Sequence, residues 1–69
     1  MVTDLTHADI RRLLKTFGVQ ADEAILAHLN RVPGDKPLRI RLILEDITPY
    51  DEPAPTPPLH LVVEGLIRR

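Results

Sequence analysis

The side chains available for chemistry are three histidines, ten carboxylates and nine lysines or arginines, with no cysteine and no serine. Triads built on a serine or cysteine nucleophile are therefore excluded. Threonine and lysine nucleophiles need an activating base or pocket, and no neighbouring residue marks one. His7, His28 and His60 are far apart. None forms His-x-x-x-His or His-Glu-x-x-His, the spacings that put two imidazoles on one helix face. Structural roles follow for all three: His28 lies beside Ile25 and Leu29 on a helix, and His60 is read as the cross-strand partner of Glu45. The adjacent carboxylates Glu45-Asp46 cannot share a proton, because neighbours on a strand point to opposite faces. Asp51-Glu52 lies in a proline-rich loop and reads as a solubilising charge. Gly18, Gly34 and Gly65 are scattered, whereas a phosphate cradle needs glycines clustered ahead of a helix. The expectation is a protein that is not an enzyme, with no catalytic residue, no metal ligands and no cofactor.

The elements that would carry these residues belong to one small domain, residues 1–69. Formal net charge is −1 and apolar residues make up 43%, a globular balance. Leu, Ile and Val supply 22 of the 69 residues, and Phe17 and Tyr50 are the only aromatics. A chain this short buries only about 60% of its unfolded surface and is marginal alone. Disulfides and thiolate metal sites are not open to it, which leaves oligomerisation. No basic leader or long apolar run marks a signal peptide, so a cytoplasmic location without membrane contact is expected.

The periodicity predicts an α+β fold. Residues 1–5 read as a leader. Thr6 reads as the cap of a helix over 6–17, with Asp9 closing a shortened capping box. Ile10, Leu13, Leu14 and Phe17 form its apolar stripe, and Gly18 reads as its C′ stop. A second helix is expected over 21–31, with Asp22 and Glu23 in its first turn and Ile25, Leu29 and Val32 as its stripe. Pro33-Gly34-Asp35 ends it. Alternation then predicts a strand over 38–48 and another over 59–68. The loop 49–58 between them holds five of the seven prolines, too many for a central strand. Gly65 inside the second strand reads as a bulge or a close backbone approach. Side-chain complementarity selects the antiparallel register that opposes Ile43 to Val62, Leu42 to Val63, Arg41 to Glu64 and Glu45 to His60.

The expected architecture is two N-terminal helices packed on one face of this hairpin, completed as a larger sheet in a homodimer. The Leu38, Ile40, Leu42 and Leu44 face would meet the helices. The other face mixes Ile43, Ile47, Val62 and Leu66 with charges, where a sheet covered on one side should alternate cleanly. Those four residues are the expected dimer contact. The function expected from this pattern is a small protein–protein interaction or regulatory module, with itself and an unidentified protein as partners. Pro55-Thr56-Pro57-Pro58 is a polyproline-prone spacing, and Tyr50 beside it is a candidate aromatic anchor.

The alternative is a DNA-binding regulator. Helix, turn, helix and hairpin follow one another as in the later part of a winged helix-turn-helix. Residues 1–44 carry seven basic and five acidic side chains, against two and five in 45–69. Arg11, Arg12 and Lys15 on the helix, and Arg39, Arg41 and Arg68 on one strand face, are the candidate contacts to a partner or to nucleic acid; a β-ribbon reader would use the latter three. Against it stand the missing third helix, the acidic start of the second helix, and Glu45 and Glu64 on the ribbon face.

Overall fold

The computed structural model describes residues 1–69 as one helix followed by two strands: α1 (Asp4–Arg31), β1 (Leu38–Glu45) and β2 (His60–Ile67). They fall into two compact units, Met1–Gly34 and Asp35–Arg69.

The first unit corrects the sequence expectation most. The two expected helices are a single α-helix of 28 residues, about 42 Å long at the α-helical rise. Gly18 does not stop it. A C′ glycine takes a left-handed backbone, and the only glycine with positive φ is Gly34. A break after Phe17 would create two new helix ends with unpaired backbone groups. Running through one glycine costs about 1 kcal/mol relative to alanine. The apolar stripe also keeps its phase across the glycine, since Leu14, Phe17, Ala21 and Ile25 follow at spacings of three, four and four.

The N-terminal cap is Thr3 rather than Thr6. The Thr6 amide donates to Thr3 Oγ1 at 3.2 Å, and the Thr3 amide donates to Thr6 Oγ1 at 3.1 Å. This is a reciprocal capping box, with threonine in the place usually held by Glu or Gln. Residues 4 and 5, expected as leader, are therefore helical. At the other end Val32 is extended, and its amide still donates to the His28 carbonyl at 3.0 Å. Pro33 disfavours a helical backbone at the residue before it. His28 and Arg31 stand in the last turn, where the helix dipole favours positive charge.

The second unit is an antiparallel hairpin in the expected register: Leu42 opposes Val63, Ile43 opposes Val62, Arg41 opposes Glu64 and Glu45 opposes His60. The strands are shorter than expected, stopping at Glu45 and starting at His60. One further bond, from the Asp46 amide to the Leu59 carbonyl at 3.2 Å, extends the ladder. Gly65 makes no bulge; it pairs regularly with Ile40, and a Cβ placed on it would meet nothing within 4 Å.

Directly opposed residues share a face, so the register separates two surfaces. One holds Leu38, Ile40, Leu42, Leu44, Leu61, Val63, Gly65 and Ile67, with no polar side chain. The other holds Arg39, Arg41, Ile43, Glu45, His60, Val62, Glu64 and Leu66. The expected packed core is absent: no residue in either unit is buried. Ordering a residue costs about 1–2 kcal/mol, and only full burial of an aliphatic side chain returns about 1.5–3 kcal/mol. Neither unit by itself returns that cost through burial. No helix is long and apolar enough to cross a membrane.

A continuous helix fixes the sign of one substitution. Gly18→Ala adds a methyl that meets nothing within 4 Å and raises helix stability by up to about 1 kcal/mol. Circular dichroism reads this as higher helicity and a later melt. A glycine acting as a left-handed stop would give a loss instead.

Candidate interaction surface

The mixed face of the hairpin is built by four cross-strand pairs: Arg39 with Leu66, Arg41 with Glu64, Ile43 with Val62, and Glu45 with His60. Only one of the charged pairs is bonded. Arg41 Nε and Nη2 both donate to Glu64 Oε2, at 3.2 and 3.1 Å. Both side chains are more than half exposed, so the pair adds at most about 1 kcal/mol. Its effect is positional, because it holds the guanidinium along the strand pair. Glu45 and His60 face each other by register without a side-chain bond between them.

Of the four aliphatics expected as the dimer contact, Ile43 and Val62 stand directly opposite each other and Leu66 lies on the same face, four residues along β2 from Val62. Ile47 falls outside β1 and is almost fully exposed, at 89%. Among the expected cationic contacts, Arg39 and Arg41 share this face. Arg68 lies beyond the end of β2 and does not join them on the ladder. Arg11, Arg12 and Lys15 belong to α1, where Arg12 bonds Asp9 at 3.4 Å. The two-helix geometry on which a winged helix-turn-helix depends is not formed. An open depression lies over Arg39, Ile40, Arg41, Glu64, Gly65 and Leu66, at the pair where Gly65 contributes no side chain.

The second face of the hairpin is wholly apolar. Sequence reasoning assigned it to packing against helices. Among its exposed aliphatics the exposure runs from 36% at Ile67 to 52% at Leu61. Leu38 and Ile40 are half-buried.

Sequence reasoning missed a polar node in the loop. Asp46 Oδ1 accepts the Thr48 amide at 2.9 Å, and Asp46 Oδ2 accepts the Tyr50 hydroxyl. The signal was present as Asp-x-Thr directly after a strand, the pattern of an Asx turn. This turn diverts the chain after Glu45 and ends β1. It also ties down the hydroxyl of the chain's only tyrosine, leaving its ring half exposed. The hydrogen bonds from Thr48 and Tyr50 lower the Asp46 pKa, and the bond to Asp46 raises that of Tyr50. Both groups move away from neutrality, the opposite of what general acid–base catalysis requires. No group of three or more His, Asp or Glu side chains is placed to hold a metal ion.

The two shifts define a pH window for the node. Asp46 is lowered on folding, so its contribution is full above the ordinary carboxylate pKa and is lost as pH falls through the folded value. Tyr50 is raised, so its contribution is full below the ordinary phenol pKa and is lost as pH rises through the folded value. In an ultraviolet titration Tyr50 is expected to ionise above the ordinary tyrosine midpoint, and Asp46→Ala is expected to return it toward that midpoint. An unshifted midpoint in the parent chain excludes the node. No family model, curated protein or solved structure matches this chain.

Proposed function

We propose that the protein is a non-enzymatic interaction or regulatory module that works as a homodimer, with Ile43, Val62 and Leu66 in the subunit contact. The observation that carries this reading is the hairpin itself, which presents aliphatic side chains on both faces and buries none of them. Two strands alone are marginal in water. A second copy supplies more strands, closes the open edges and covers the aliphatics. Tyr50, held by Asp46 with its ring half exposed, is the residue best placed in the loop to meet a further protein partner.

Val62→Glu puts a charge opposite Ile43 in the centre of the proposed contact. An unpaired charge in a buried interface costs several kcal/mol. Sedimentation velocity of the purified chain is expected to show a dimer that Val62→Glu weakens about a hundredfold, with circular dichroism showing the helix retained. Glu52→Gln in the loop leaves the dimer unchanged. A parent chain that stays monomeric at all concentrations removes the proposal.

The Arg41–Glu64 bond and the presence of Glu45 on the ribbon face favour this reading over a β-ribbon that enters DNA. Phosphate neutralisation by a DNA-binding protein makes affinity fall steeply with salt. Fluorescence anisotropy of a labelled generic duplex is expected to show no such salt-dependent binding. Tight binding at low salt that collapses with added salt would restore the nucleic-acid alternative.

A further inference from the structure

We infer that α1 pairs with α1 of a second copy, antiparallel, about a two-fold axis passing between Phe17 and Gly18. This rests on the homodimer reading above and names a further contact through which the copies associate.

The first observation is a symmetry of spacing. His7, Ile10, Leu14 and Phe17 follow at intervals of three, four and three, and Gly18, Ala21, Ile25 and His28 repeat the same intervals. The helix runs unbroken through both sets, so the stripe presents the same spacing read from either end. A two-fold turn about its midpoint sets Ile10 against Ile25 of the second copy, Leu14 against Ala21, Phe17 against Gly18, and His7 against His28. This stripe is available to a partner: Ile10, Leu14 and Phe17 are each about half exposed, at 49, 57 and 48%.

Side-chain volume then selects the direction. The first half of the stripe is bulky, with Ile10, Leu14 and Phe17, and the second opens with Gly18 and Ala21 before Ile25. A parallel pair would stack Phe17 on Phe17 and Leu14 on Leu14, with Gly18 and Ala21 on themselves, forcing the helices apart at one height and leaving a void at the next. An antiparallel pair faces Phe17 with Gly18 and Leu14 with Ala21 and meets Ile10 with Ile25, which allows close packing along the seam.

Charge agrees with volume. Arg11, Lys15 and Asp22 lie on one flank of the stripe, within about 40° of each other around the helix axis. A two-fold antiparallel pair brings each flank against the same flank of its partner. Asp22 of one copy then falls between the heights of Arg11 and Lys15 of the other, and the symmetry makes this contact twice. A parallel pair would bring that flank against the one carrying Leu13 and Gln20, where Lys15 and Asp22 meet no opposite charge. The helix holds four basic and four acidic side chains; this balance suits a second copy of itself rather than an anionic membrane.

The chain has no cysteine, so single nitroxide labels can be placed at Asn30→Cys and at Thr16→Cys in the otherwise unaltered protein. Both positions lie away from the stripe. In the antiparallel pair, residue 30 of one copy stands at the height of residue 5 of the other. Pulsed dipolar spectroscopy is then expected to give about 40 Å between labels at 30 and about 20 Å between labels at 16. About 20 Å at both positions in a proven dimer overturns the antiparallel pairing and leaves the homodimer standing. A monomer by sedimentation overturns both. Asp22→Lys is expected to weaken the dimer about tenfold, and adding Arg11→Glu and Lys15→Glu to the same chain is expected to recover it. A dimer that keeps its 40 Å separation but is indifferent to these charge changes overturns the assigned register.

Discussion

Apolar surface that the chain does not cover is the constraint on which everything else here depends. Both elements are well specified locally. The helix has a reciprocal cap at one end and a proline-enforced stop at the other, and the hairpin has a full ladder in a single register. Neither gains the buried side chains from which most tertiary stability comes. The molecule is thus rich in secondary-structure instructions and poor in burial. That combination suits a chain that folds with partners.

Much of the hairpin was legible in the sequence because its information is pairwise and short-ranged. Arg41 with Glu64 and Ile43 with Val62 choose one register, and a slip of two residues one way would oppose Arg39 to Arg68 instead. The helix was less legible. Gly18 reads as punctuation because glycine is the commonest left-handed terminator. The signal against a stop lies a few residues on, in the phase shared by Phe17, Ala21 and Ile25. Thr3 was passed over because a capping box is ordinarily sought with Glu or Gln at its far end, and here a second threonine fills that role.

The shared face of Ile43, Val62 and Leu66 was legible for a related reason. Strand parity groups these three on one side of the hairpin, but parity holds only while the strand lasts. Asp46 ends it by turning its side chain onto the Thr48 amide, so Ile47 leaves the face that alternation had assigned to it. The same carboxylate looked like half of an acidic dipeptide in sequence. Its real partners are two and four residues further on, where a strand-based reading does not look.

The bond between Asp46 and Tyr50 also gives the protein a natural light signal. With no tryptophan present, Tyr50 is the only strong near-ultraviolet emitter. An excited phenol is a far stronger acid than its ground state and passes its proton readily to a carboxylate already bonded to it. A loop that keeps this bond should therefore emit less than one in which it is broken. Any molecule that settles on this loop and displaces the carboxylate from the hydroxyl announces itself in the emission of the unlabelled chain.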